Sequence, residues 1–179
     1  MSNPLQHLSK SAVKDNRLNE VARLLRPFKR SKSDAAHEVW PGLYIGDMNM
    51  AVNYSELKKC RFTHVLNCVD KLDSSKNYRI RGIKYLGINT LDLETFNISV
   101  HFKPAAEFIH TALMEEGKIL VHCWAGVSRS ATIVLSYLML KQNMTLKEAI
   151  NTVKEKRGIL PNRGFLRQLL DLQTQLHGS

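Results

Sequence analysis

Between Val121 and Ser130 the chain reads Val-His-Cys-Trp-Ala-Gly-Val-Ser-Arg-Ser. An apolar run ends, a cysteine follows, five residues intervene, an arginine appears, and a second apolar run begins. Those residue types in that order suit one task, holding a tetrahedral oxyanion against a sulfur nucleophile. Successive backbone N–H groups in a tight loop make an anion-binding nest, here those of Trp124, Ala125, Gly126, Val127 and Ser128. A helix starting behind the loop adds its own free N–H groups and its dipole. Gly126 lets the backbone turn without a side chain meeting the anion. Arg129 brings a planar fork that grips two oxygens. A thiol at a helix N-terminus beside a cation is acidified, so Cys123 is expected to be a thiolate at neutral pH and a competent nucleophile.

The neighbours have plainer roles. Ser128 and Ser130 flank the arginine and can brace the loop or donate to the sulfur. His122 is expected to orient the loop by a hydrogen bond rather than act as a base. A zinc site at His122 and Cys123 lacks a second ligand pair at suitable spacing. Cys60 and Cys68 read as small buried hydrophobes. Trp124 either walls the pocket, stacking on a substrate ring, or packs inward.

These groups need a scaffold. Lys118–Val121, ending at His122, reads as a buried strand, and Val127–Gln142 as a long apolar helix. Upstream, Leu43–Ile45 is a short strand after a Pro-Gly turn, Met50–Cys60 a helix, Thr63–Val69 a buried strand and Ile83–Ile88 another. Asp70–Asn77 is a polar loop and Asp92–Asn97 an irregular one. Val100–Met114 has helical spacing. Thr145 and Glu148 form a capping-box pattern at the head of a further helix, and Pro161 opens the last one, to about Leu176. Strands alternating with helices predict a single α/β domain. Its sheet should be central, mostly parallel and flanked by helices on both faces, with the phosphate-binding loop between a strand and a helix.

The compact domain is expected over residues 37–179, after a basic extension, 1–36. The chain has 179 residues and a net charge of +10, and the extension holds eight Lys/Arg against three acids. Val13, Leu18, Val21, Leu24, Leu25 and Phe28 recur there at near-helical spacing, and Pro27 should end that helix. Its apolar stripe is expected to dock on the domain. The stretch Arg26–Lys32 reads either as a solvated linker or as a nuclear-import or membrane-surface patch. The basic balance favours an anionic partner, whether nucleic acid, an acidic membrane or a phosphorylated substrate. No repeat, zinc spacing or RNA-binding aromatic signature supports nucleic acid, so none is expected. A content of 44% hydrophobic and 23% charged residues excludes a wholly disordered chain, a collagen-like rod and a disulfide scaffold. No apolar run is long enough to span a bilayer, and no secretory signal is evident, so an intracellular site in cytoplasm or nucleus is expected. Three cysteines fit that expectation.

The complete pattern His122, Cys123, Gly126, Ser128, Arg129, Ser130 and Thr132 resembles the signature of the cysteine-dependent phosphatases, specifically the dual-specificity protein phosphatases. The stretches Glu38–Asp47, Phe62–Val69, His101–Leu113 and Pro161–Leu169 are similar to segments of that family in its usual order. The match is best to its small atypical group, which lacks an additional kinase-docking domain. The resemblance implies hydrolysis of phosphotyrosine and phosphoserine/threonine esters through a phosphocysteine. It implies Cys123 as nucleophile, Arg129 as phosphate clamp, and Ser130 assisting departure of the thiolate. Asn162 would steady the loop, and no cofactor or metal would be needed. An aspartic acid on an upstream loop would serve as general acid and base. Asp92 fits best, with Glu94 and Asp70 as competitors. Phosphoproteins are the implied substrates, protein kinases of the MAP-kinase type among them. A lipid or RNA 5′-phosphatase on the same loop and a phosphoprotein-binding scaffold are the alternative readings. The loop has no further basic residue, which weakens the lipid reading. Oxidation of Cys123 should inactivate an enzyme of this kind.

Overall fold

The structure is a computed structural model and describes residues 9–69 and 71–178. Asp70, one of the competing acids, lies outside them. Five strands form one sheet in the order β1-β2-β5-β3-β4. They are β1 His37–Trp40, β2 Leu43–Gly46, β3 His64–Asn67, β4 Lys84–Gly87 and β5 Ile119–His122. β1 and β2 make an antiparallel hairpin, and every other pairing is parallel.

The central strand β5 is buried throughout because both faces are covered. Ile119 and Val121 face a larger core built with α1 Lys10–Leu24, α5 Phe102–Met114, α6 Arg129–Lys141, α7 Leu146–Lys154 and α8 Arg163–His177. Leu120 faces a smaller core with α2 Met48–Val52, α3 Tyr54–Lys59 and α4 Ser75–Arg79. The mostly parallel α/β sheet with helices on both faces is therefore present.

Several elements differ from the sequence reading. The Met50–Cys60 helix is two helices, because Asn53 ends α2 and caps α3 through its side chain, accepting from the Glu56 N–H. α4 begins inside the stretch expected to be loop. Its Tyr78 is buried, and the phenol donates to the Ala51 carbonyl at 2.7 Å. β1 was not expected, since only Val39 of its four residues is buried. The last helix is capped by Asn162 rather than opened by Pro161. The Thr145–Glu148 capping box forms at α7.

α1 packs on α7 and α8, with Leu18, Val21 and Leu25 in the larger core. The segment after it, Arg26–Lys32, is tied to the domain while Arg26, Lys29, Arg30 and Lys32 stay exposed. Lys154 Nζ donates to the Leu24 carbonyl at 2.9 Å, and the Gly158 N–H to Ser31 Oγ at 3.1 Å. No helix among the described residues is long and apolar enough to cross a membrane.

Candidate active site

The parallel register sets Gly46, His122 and Asn67 side by side at the carboxyl ends of β2, β5 and β3. That edge is where open α/β sheets present ligand sites. Residues 123–128 continue from β5, turn, and enter α6. The loop's shape is fixed from behind, through its carbonyls. Met48 N–H donates to the Trp124 carbonyl at 3.0 Å and Leu160 N–H to that of Val127 at 2.9 Å. The Ser128 carbonyl accepts from Thr132, through both N–H at 2.9 Å and hydroxyl at 2.7 Å. Arg157 takes the other two, reaching Gly126 O from Nε at 2.9 Å and Ala125 O from Nη2 at 3.4 Å. Gly126 has φ +65°, as the turn requires.

With the carbonyls held outward, the amides are left for a ligand. Among the described residues, the N–H groups of Trp124, Ala125, Val127, Ser128 and Arg129 have no protein acceptor, while that of Gly126 points to Cys123 Sγ at 3.2 Å. The Ser130 hydroxyl lies 3.2 Å from the same sulfur. Cys123 is only 3% exposed and sits at the base of a cleft of about 420 Å³. Trp124 stands at the cleft with 65% of its surface exposed, so it does not pack inward.

Arg129 is half-buried at the first position of α6. Its Nη1 donates to Thr90 O at 3.0 Å and Cys68 O at 3.4 Å, fixing the fork beside the sulfur. Thr90 in turn donates its hydroxyl to the Cys68 carbonyl at 2.6 Å. Asp92 also lines the cleft, and its Oδ1 accepts from Ser128 Oγ at 2.8 Å and Asn162 Nδ2 at 2.9 Å. Glu94 is exposed and does not line the cleft. Its carbonyl instead rests on α8 at Gly164, where any Cβ would overlap that oxygen.

His122 is buried, and its pKa is pushed down to about 4 by loss of solvent, so the ring is neutral. Nδ1 lies 3.3 Å from the Cys123 carbonyl, while Nε2 has no partner among the described residues. Asn162 caps α8, accepting from the Phe165 N–H at 2.9 Å, and donates its own N–H to Ser128 Oγ at 3.1 Å. It thus ties the loop to Asp92 instead of touching Cys123 Sγ.

Of the other cysteines, Cys68 is the neighbour. Burial raises its thiol pKa, the charge of Cys123 raises it further, and Arg129 opposes both. Its N–H bonds the His122 carbonyl at 2.9 Å, one register step from Cys123. Cys60 is at the end of α3, bonded to Glu56.

Sequence reasoning missed Arg157. It ends a run of charged residues, Lys-Glu-Lys-Arg, that reads as a solvated helix end, yet it is 3% exposed. Burial lowers its pKa, and the charges of Asp47 and Cys123 oppose that. Its Nη1 also donates to Ala35 O at 3.2 Å and lies 2.8 Å from His37 Nδ1. Phe28 and Arg30, from the segment before β1, line the cleft as well.

Residues 43–175 match the family model described as dual specificity phosphatase, catalytic domain. The human dual specificity protein phosphatase 26 is 53% identical over 160 residues, covering 88% of this chain and 75% of that one. The rat protein of the same name is 54% identical over the same coverage. The crystal structure of human DUSP28 superposes with a TM-score of 0.74 at 25% identity, across 83% of this chain and 99% of that one.

Proposed function

The chain belongs to the dual-specificity phosphatase family, and from that premise we propose that it hydrolyses phosphotyrosine and phosphoserine/threonine esters of proteins with Cys123 as nucleophile and Asp92 as general acid and base. That it is a protein phosphatase follows from the family, and phosphoproteins are its substrate class. The observation that carries the residue roles is the placement of one sulfur. Cys123 Sγ sits between the Gly126 N–H and the Ser130 hydroxyl, below loop amides with no other acceptor.

The chemistry follows from that arrangement. Phosphate oxygens occupy the free amides and the Arg129 fork, in place of solvent. The Cys123 thiolate attacks phosphorus in line, and the bond to the leaving oxygen breaks. Asp92 gives its proton to that oxygen, so an alkoxide or phenoxide is not expelled as an anion. The resulting carboxylate takes a proton from water, whose oxygen attacks the phosphocysteine. The P–S bond breaks, and the Ser130 hydroxyl donates to the departing thiolate. Inorganic phosphate leaves, and Asp92 is again protonated. Hydrogen bonds from Ser128 and Asn162 hold the Asp92 carboxyl over the cleft for both halves.

Substrates in the cytoplasm or nucleus, protein kinases included, suit a chain whose three cysteines are all unpaired. The test is hydrolysis of an aryl phosphate and of matched phosphotyrosine and phosphothreonine peptides by wild type, Cys123→Ser and Asp92→Asn. Turnover of both peptides, abolished by the first change and reduced about 100-fold by the second, is the expected result. Aryl phosphate turnover without peptide turnover would redirect the account to a lipid or RNA phosphate. No turnover by reduced protein would leave a phosphoprotein-binding module.

A further inference from the structure

The strap between α1 and β1 is fastened to the domain at Ser33. The Ser33 hydroxyl donates to Asp47 Oδ2 at 3.0 Å and accepts from Asn49 Nδ2 at 3.0 Å. The Asp34 N–H reaches the same Asp47 oxygen at 3.3 Å, in a turn where Asp34 has φ +63°. Asp47 is buried, and its other oxygen caps α2 by accepting from the Met50 N–H at 2.9 Å. The carboxylate is therefore held from the domain side and cannot follow a displaced strap without uncapping that helix.

The fastening matters at the cleft. On either side of Ser33, Ser31 accepts from the Gly158 N–H, and the Ala35 carbonyl accepts from Arg157, which also holds the Gly126 carbonyl. Phe28, on the same strap, lines the cleft beside Trp124 and Cys123. Ser33 itself is exposed, and Arg26, Lys29, Arg30 and Lys32 precede it within seven residues. Arg30 stands three residues before it, the spacing that an arginine-selecting serine kinase reads through its own acidic pocket. Ser31 shares the basic run but is half-buried against Gly158.

We propose that Ser33 is a phosphorylation site for an arginine-selecting serine kinase, and that phosphate there unfastens the strap from Asp47. The kinase transfers the γ-phosphoryl group of ATP to Ser33 Oγ. The new O–P bond forms as the bond to ADP breaks, and the hydroxyl proton passes to the kinase's base and then to solvent. The ester oxygen has no proton left to give Asp47. The phosphate also brings a charge of about −1.5 to −2 against the carboxylate that the hydroxyl had bonded. A donor contact becomes a repulsive one, so the turn at Ser33 and Asp34 opens and takes Ser31 off Gly158. The effect on substrate binding rests on reading the cleft as the phosphatase site, whereas the unfastening does not.

The experiment uses the full chain in a Cys123→Ser background, where the protein cannot remove its own phosphate. Incubated with ATP and a serine kinase that selects arginine three residues before its target, the chain should take phosphate on Ser33, located by peptide mass spectrometry. Arg30→Ala should slow that reaction about tenfold. The same chain with phosphoserine incorporated at position 33 during synthesis is then compared with the unmodified chain by amide hydrogen exchange. Exchange of the Gly158 N–H should rise about tenfold, while the β5 amides should not change. Ser33→Ala removes the donor without adding charge and should raise Gly158 exchange about threefold at most. The dissociation constant of a phosphotyrosine peptide should rise about fivefold in the phosphoserine protein as the Phe28 wall moves, and that of inorganic phosphate should stay the same. Phosphate placed on Ser31 instead of Ser33, or a Gly158 amide as protected with phosphoserine as without it, would overturn the switch. A peptide affinity that does not move while Gly158 opens would overturn its reach to the cleft. Neither result depends on turnover, so the phosphatase reading stands or falls separately on wild-type aryl phosphate hydrolysis.

Discussion

The Ser128 hydroxyl donates to Asp92 Oδ1 at 2.8 Å, joining the loop under the sulfur to the carboxyl across the cleft. Asn162 closes the arrangement, giving its N–H to Ser128 Oγ and its amide to the same Asp92 oxygen. The loop and the Asp92 carboxyl are therefore one hydrogen-bonded unit, although 36 residues separate Ser128 from Asp92 in the chain.

Removing that bond should misplace the acid more than the nucleophile. Ser128→Ala is expected to lower kcat on a phosphothreonine peptide about tenfold, since small displacements of a positioned catalytic group are costly. The loss on an activated aryl phosphate should be smaller, because its leaving group needs little protonation. Steady-state kinetics on both substrates check this, and equal losses on the two would count against Ser128 as a positioning residue.

Gly164 offers an independent handle on the same carboxyl. A Cβ there would overlap the Glu94 carbonyl, so Gly164→Ala must push the loop holding Asp92 away from α8. Alanine favours the helix interior by about 1 kcal/mol, so intrinsic propensity alone would stabilise the variant. The expected outcome is the reverse, a lower melting temperature and a kcat that falls more for phosphothreonine than for aryl phosphate.

Arg157 holds the loop from below. Arg157→Ala removes bonds to the Gly126, Ala125 and Ala35 carbonyls, which are then buried or part-buried without donors. The expected cost is about 2–4 kcal/mol of stability, read by denaturant titration, with a rise in KM for every phosphate ester. Arg157→Lys supplies a point donor in place of the fork and should recover only part of either loss.

How legible these relationships were depended on how local they are. The loop was readable because one stretch of consecutive residues contains the cysteine, the glycine, the arginine and the helix start. β3 and β5 were readable as buried runs and Thr145–Glu148 as a cap, whereas β4, read as a buried strand, lies at the sheet edge with none of its four residues buried. β1 was hidden because only Val39 carries burial and its pairing is with a neighbour across a turn. α4 was hidden in a polar stretch that buries one tyrosine. Arg157 and Arg30 could not be read at all as site residues. Both stand in basic runs whose meaning comes from carbonyls and a cleft supplied by distant segments.

His122 gives the protein a pH dependence of known sign. Its folded pKa is about 4 against an ordinary value of 6.5, chiefly because burial disfavours the charged ring. Between those values the unfolded chain binds a proton that the folded protein does not, so stability is full above about 6.5 and falls toward pH 4. The span corresponds to about 3 kcal/mol. Denaturation midpoints across that range should show the decline, and His122→Asn should flatten it.

The central claim is covalent chemistry at Cys123, and it is tested most directly by acid quench during turnover. Ser130→Ala removes the hydroxyl 3.2 Å from the sulfur and should slow loss of the thiolate from phosphocysteine. Mixed with a phosphotyrosine peptide and quenched in acid, this variant should carry phosphate on Cys123 at close to one equivalent, located by peptide mass spectrometry. Turnover with no phosphate on Cys123, or turnover that persists in Cys123→Ser, would contradict the account.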